Sequence, residues 1–215
     1  MQIKGIIFDM DGVLIDSEPE NLRRHQKFLE SMGIKVPHEV IRKFAGAHKK
    51  QIFELVKKYG VKQKDYLQYF QEFNVFFEDE PLDFKSILNE GVKDLLVWLE
   101  DQNYQIALAS SGSIDKINKA LTENDIKNKF EVILSGDDFN NSKPDPEIYL
   151  KTLELLKLNN DECIVVEDSN YGIQAAKSAK IYTIALEENR FEFMQENADL
   201  IVKDLSKVKE FLIRR

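Results

Sequence analysis

The chain has one cysteine, no apolar run long enough to cross a bilayer, no excess of basic charge, and no repeated or low-complexity tract among its 215 residues. Each absence excludes something. The lone Cys163 cannot close an internal disulfide, and its place in the run CIVVE reads as a small packed hydrophobe. Without a long apolar run there is no candidate membrane span. A net charge of −8 and a pI of about 5.1 argue against nucleic acid or an anionic membrane as partner, because both reward basic surfaces. The start MQIKGIIFD has neither a basic leader nor a small-residue cleavage site, so a cytoplasmic location is expected. A monomer is the default expectation, since no stretch specifies an oligomer.

What is present is the composition of a globular protein, with 43% apolar and 32% charged residues. The length fits one large domain, or one domain carrying a smaller insert. Short apolar runs recur at Ile3–Phe8, Tyr104–Ala109, Val132–Leu134, Cys163–Val166, Tyr182–Leu186 and Leu200–Val202. Segments of helical periodicity separate several of them, as in SIDKINKALTEN and PEIYLKTLELLKL. Continuous apolar strands alternating with helices imply an α/β fold with a doubly wound parallel sheet covered on both faces. From Ser17 to Asp83 that rhythm stops, and only helical patterning remains. The expected organisation is therefore a core domain from residues 1–16 and 84–215, with an α-helical cap domain at 17–83 inserted after the first strand. Within the insert, Ser17 and Glu20 read as a capping box around Pro19. Leu22, Leu29 and Met32 line one face of the helix that Gly33 stops. Further helices are expected near 37–44, 49–59 and 64–77. His25, on that apolar face, reads as a packed histidine.

Chemistry-bearing residues cluster at the predicted strand ends. Asp9 and Asp11 follow the first strand, Ser110 and Ser111 close QIALASS, Lys143 stands in NNSKPDPE, and Glu167 and Asp168 end CIVVED. A parallel sheet brings such ends to one edge, where its ligands bind. Carboxylates crowded within ~4 to 6 Å repel unless a positive charge lies between them. This inventory suits a phosphoryl group bridged to a hard divalent cation, with Mg2+ on carboxylate oxygens. Phosphate oxygens would lie on the Ser110 hydroxyl and the following amides, and Lys143 would neutralise the remaining charge. Asp-x-Asp-Gly could instead open a calcium loop. That reading fails, because Val13 and Leu14 stand where such a loop needs an oxygen ligand and a glycine.

Four motifs in order, DMDGV, the strand-terminal serines, SKPDP and EDSNYGIQAA, resemble the haloacid dehalogenase superfamily. Within it they resemble the helical-cap branch of β-phosphoglucomutase and small sugar-phosphate phosphatases. The resemblance spans nearly the whole chain. It implies a Rossmann-like core and assigns roles by position. Asp9 resembles the nucleophile and a metal ligand, while Asp11 resembles the acid/base and ligates through its carbonyl. Ser110, Ser111 and Lys143 resemble phosphate binders, and Glu167 and Asp168 the remaining metal ligands. In the insert, Gly46 and Lys49 fall where related mutases hold the distal part of the substrate. Asn21 departs from the pattern, since the mutases carry a histidine there. Dehalogenases lack the second aspartate, so Asp11 favours phosphoryl transfer. The resemblance thus implies a Mg2+-dependent phosphatase of small phosphorylated metabolites, sugar phosphates above all, working through an aspartyl-phosphate under a closing cap. A phosphoglucomutase-like isomerase and a noncatalytic binding protein remain as alternatives.

Overall fold

Among the described residues six segments are strands, and the apolar runs place them. In the computed structural model, which describes residues 2–47, 49–191 and 193–214, they are β1 Gly5–Phe8, β2 Gln105–Ser110, β3 Val132–Ser135, β4 Cys163–Glu167, β5 Tyr182–Leu186 and β6 Leu200–Val202. They form one sheet in the order β3-β2-β1-β4-β5-β6, with every pairing parallel. All residues of β1 and β4, the two central strands, are buried, as a sheet covered on both faces requires. The fold class is the expected one. The α-helices run α1 Glu18–Ser31, α2 His38–Ile41, α3 Lys49–Lys57, α4 Tyr66–Phe76, α5 Val92–Asp101, α6 Ile114–Glu123, α7 Glu147–Leu156, α8 Asn170–Ser178 and α9 Leu205–Ile213.

Helices α7 and α8 bury Tyr149, Leu153, Ala175 and Ala176 against Ile7, Ala107, Ala109 and Val165 of the sheet. Helix α5 packs on β2 and on α9, and its Leu95 and Leu99 lie outside that cluster, which gives the second helical layer. Cys163 sits fully buried in the first layer, where desolvation pushes its thiol up to about 12. Among the described residues no helix is long and apolar enough to cross a membrane.

The chain divides into two compact units, Met1–Asp16 with Phe84–Asn189 and Phe193–Arg215, and Ser17–Asp83 with Arg190–Glu192. The smaller unit holds α1 to α4 around Phe28, Leu29, Phe44, Phe53, Tyr69 and Phe70. His25 packs there, its ring centroid 4.6 Å from that of Phe73 and 5.3 Å from that of Phe44. Helix α1 ends as expected. Gly33 takes φ +71°, its N–H reaches the Glu30 carbonyl, and the Ile34 N–H reaches that of Leu29, a pairing that closes the last turn. Its start differs from the expected capping box. Ser17 already has helical dihedrals and makes no side-chain capping bond. Glu20 instead accepts from the Nε atoms of Arg23 at 2.7 Å and Arg24 at 2.9 Å, two guanidiniums that outcompete a backbone amide for its charge. The second expected helix is a single turn, α2, continued by a tighter turn at Arg42–Phe44. The fourth begins only at Tyr66, because extended Asp65 caps it by accepting the Gln68 N–H.

Candidate active site

Strand β1 delivers Asp9 to the carboxyl edge of the sheet, at the point where the strand order reverses between β1 and β4. The Asp9 N–H still donates to the Val166 carbonyl at 3.0 Å, so the sheet register continues into the site. Across the crevice, β4 ends in Glu167 and Asp168. Single oxygens from Asp9, Glu167 and Asp168, all buried, lie within 4.8 Å of one another. Two glycines permit that crowding. A Cβ on Gly172 would stand 1.6 Å from Glu167 Oε1, and one on Gly12, where φ is +81°, would stand 2.0 Å from Asp168 Oδ2. At Gly172 the bare backbone thus leaves room for a carboxylate.

Lys143 reaches into this cluster from the loop before α7, only 4% exposed. Its Nζ donates to Asp9 Oδ1 at 2.6 Å, to Glu167 Oε1 at 2.7 Å and to the Ala109 carbonyl at 3.0 Å. Its ammonium also lies 4.9 Å from the centre of the Tyr149 ring. Glu167 is the most heavily engaged group of the site. Oε1 also accepts from the Tyr149 hydroxyl at 3.0 Å, while Oε2 accepts from Asp168 N at 2.9 Å, Ser169 N at 3.0 Å and Ser169 Oγ at 3.1 Å.

This inequality sets the charges. Burial would raise Glu167, but the Lys143 charge and those hydrogen bonds hold it below its usual range. Asp9 is the poorer partner of the shared lysine. Burial pushes its carboxyl up to about 7, against the pull of Lys143 and with the charge of Glu167 adding to the rise. Lys143 would be lowered by burial, yet the charges of Asp9 and Glu167 hold it well above the usual ammonium range. Three carboxylates facing one ammonium leave a deficit of positive charge. Hard oxygen donors in this number fit a divalent cation.

The serines expected to hold phosphate stand at the end of β2 and just after it. Ser110 is buried and its hydroxyl oxygen accepts the Gly112 N–H at 3.1 Å, whereas Ser111 is exposed. Ser113 then caps α6 by accepting the Lys116 N–H. Asp11 lies on the loop after β1, and its Oδ1 accepts from Lys116 Nζ at 2.6 Å. The structure thus brings Asp9, Lys143, Glu167 and Asp168 into direct contact or close range, with Ser110 one residue beyond the carbonyl that Lys143 holds. Gly46 and Lys49 lie in the smaller unit, where the Gly46 N–H donates to Glu18 Oε1 at 3.1 Å and the Lys49 ammonium lies 5.5 Å from the Phe70 ring centre.

Four participants escaped the sequence reading: Tyr149, Lys116, Gln195 and Asn89. Gln195 Nε2 donates to the Asp168 carbonyl at 2.5 Å and that of Leu186 at 2.8 Å, which fixes the loop behind Asp168. Asn89 Nδ2 donates to the Gly12 and Val13 carbonyls and fixes the loop behind Asp11. Tyr149 alone carried a signal. It reads as one of the apolar positions of α7, and a buried tyrosine needs a partner for its hydroxyl.

Comparison with known proteins identifies the family. Residues 6–186 match the family of haloacid dehalogenase-like hydrolases. The chain is 33% identical to a phosphorylated carbohydrates phosphatase of Thermotoga maritima over 184 residues, covering 85% of this chain and 84% of that one. It is 25% identical to the β-phosphoglucomutase of Bacillus subtilis, covering 95% and 91%. The crystal structure of β-phosphoglucomutase from Clostridium difficile superposes with a TM-score of 0.77 at 25% identity, over 99% of this chain and 98% of that one. With a family match over most of its length and its carboxylates gathered at the sheet's switch point, the chain belongs to the haloacid dehalogenase-like hydrolases.

Proposed function

We propose that this protein is a Mg2+-dependent phosphatase of small phosphorylated metabolites, sugar phosphates above all, that works through an aspartyl-phosphate on Asp9. The observation that carries the proposal is the buried Asp9–Glu167–Asp168 cluster with Lys143 inside it, at the sheet edge that also presents Ser110. The likeness to a phosphatase of phosphorylated carbohydrates supports the substrate class.

Asp9 and Asp168, with the Asp11 carbonyl, would hold the metal. Glu167 belongs to the same cluster, but its two oxygens already accept five hydrogen bonds, so its first task is to anchor Lys143. When bound, Mg2+ supplies the positive charge that lets an anionic nucleophile meet an anionic ester. Lys143 and the turn at Ser110 and Ser111 orient the phosphoryl oxygens. An Asp9 oxygen attacks phosphorus, the ester P–O bond breaks, and Asp11 gives its proton to the leaving oxygen. Asp11 then takes a proton from water, the hydroxide attacks phosphorus, and inorganic phosphate leaves Asp9 free again. The helical unit, as a cap domain, would choose the substrate through residues such as Gly46 and Lys49.

A second reading is a β-phosphoglucomutase-like isomerase, favoured by the likeness to the Bacillus subtilis enzyme. Asn21 speaks against it, because an amide cannot relay a proton as the histidine expected there does. The test is a screen of phosphorylated metabolites with Mg2+ and with a chelator, including β-glucose 1-phosphate and glucose 6-phosphate supplied separately. Phosphate release that needs Mg2+ and far exceeds interconversion is expected. Asp9→Asn should lower it by at least about a thousandfold while the fold persists, since the amide is nearly isosteric and a poor nucleophile. Fast interconversion with negligible release would replace the phosphatase with the mutase.

A further inference from the structure

Asp11 is not one of the three carboxylates that crowd together, although its charge is felt at Asp9, and it pairs with a second lysine. Lys143 serves Asp9 and Glu167, whereas the Asp11 carboxylate is paired with Lys116 at 2.6 Å, both side chains being about one quarter exposed. Lys116 lies in the first turn of α6, and its own N–H is held by the Ser113 cap. Its stem passes over the turn that follows β2. A Cβ on Gly112 would stand 3.7 Å from Lys116 Cδ and 3.3 Å from Ser110 Oγ. That turn is itself fixed from β3. The Gly112 carbonyl accepts from Ser135 Oγ at 2.7 Å and from Gly136 N at 3.3 Å, and Asp137 accepts the Ile114 N–H at 2.9 Å.

We infer that Lys116 is a positioning residue that ties the Asp11 carboxylate to the Ser110–Gly112 turn, so that the acid/base and the phosphate-holding turn form one rigid piece. The inference rests on the proposed role of Asp11 as acid/base. A partly exposed ion pair contributes ~1 kcal/mol or less to stability, which is little reason to bridge two loops far apart in sequence. The geometric effect is larger. A general acid works only within about 2.6–3.2 Å of the oxygen it protonates, and an unpaired aspartate can turn among its rotamers toward water. Asn89 fixes the backbone just after Asp11 through the Gly12 and Val13 carbonyls, and Lys116 completes the restraint at the carboxylate.

The experiment compares two esters that differ in their need for a proton. An alkyl leaving group, as in glucose 6-phosphate or whichever alkyl phosphate the metabolite screen ranks first, needs the acid. The p-nitrophenolate of p-nitrophenyl phosphate departs without it. In Lys116→Met, kcat/KM for the alkyl ester should fall by about tenfold to a hundredfold more than for the aryl ester. The loss should lie in kcat with KM little changed, and Lys116→Arg should restore most of it. Lys116→Gln is made in parallel, so that a methionine variant that fails to fold still leaves a test. Equal losses on both esters, a loss confined to KM, or no loss would overturn the inference. Asp11→Asn is the reference. If it shows the leaving-group dependence and the Lys116 variants do not, only the positioning role falls. If Asp11→Asn shows none, the acid/base assignment falls and takes this inference with it.

Discussion

Lys143 in the sheet unit and His25 in the helical unit are almost equally withdrawn from water, at 4% and 5% exposure, yet neighbouring carboxylates hold the lysine well above its usual range while burial alone holds the histidine down at about 4. Lys143 touches two carboxylates, a carbonyl and the face of Tyr149. His25 is surrounded by the rings of Phe44, Tyr69, Phe70 and Phe73, and the Tyr69 hydroxyl is 3.4 Å from its Nδ1. A buried charge persists only where partners replace its hydration, and without them the group gives up its proton. The difference separates the part of the molecule built around charge from the part built around packing. In the first, removing one group strands others; in the second, adding a charge does the damage.

The largest expected effect breaks the charged region. Lys143→Met keeps the length of the stem and removes the ammonium, which leaves Asp9 and Glu167 buried without their shared cation. Destabilisation of about 3–5 kcal/mol is expected at neutral pH, read as a lowered urea midpoint in metal-free buffer, together with loss of turnover. A midpoint within ~0.5 kcal/mol of the parent would show that the two carboxylates tolerate burial without Lys143.

Much of the charged region was legible because its residues sit at strand ends. Strands buried on both faces announce themselves as apolar runs, and a parallel sheet sends all their carboxyl ends to one edge. That logic reaches Asp9, Ser110, Glu167 and Asp168 without coordinates. It does not reach Lys116, Asn89 or Gln195, whose partners are set by how α6 and two loops fold back, a matter of three-dimensional register with no local period. The start of α1 was misread for a related reason. Ser17 and Glu20 have capping-box spacing, but Arg23 and Arg24 lie one turn ahead and claim the glutamate. In the helical unit the absence of strands among the described residues was plain from the patterning. The short α2 was not, because a single turn continued by a tighter one carries the same apolar spacing as a helix.

The packed region should break in acid. Burial holds His25 down at about 4, whereas a histidine in the unfolded chain takes its proton near pH 6.5. Below pH 6.5 the unfolded state binds the proton first. The stability tied to neutral His25 is therefore complete above that pH and is lost as pH falls toward 4, by about 3 kcal/mol for a shift of this size. His25→Leu removes the titrating group and should flatten this part of the curve. Urea midpoints of the two proteins at pH 7 and pH 4.5 check it. An identical acid-side loss in both would mean that other groups, not His25, set the acid limit.

The smallest expected effect lies where the two kinds of region meet in one side chain. Lys49 is an exposed cation, yet its ammonium rests 5.5 Å from the centre of the buried Phe70 ring, so it could serve either packing or substrate charge. If Lys49 recognises a second anionic group, Lys49→Ala should raise KM for a hexose bisphosphate by about fivefold, the worth of roughly 1 kcal/mol for an exposed charge pair. The hexose monophosphate of the same sugar should shift by less than about twofold, because it has no second anion to lose. Raising the ionic strength should shrink the difference, since exposed charges more than ~10 Å apart are screened at 0.1 M salt and close ones increasingly so above it. Equal changes for both esters, with a lowered unfolding midpoint, would instead assign Lys49 to the cover of Phe70.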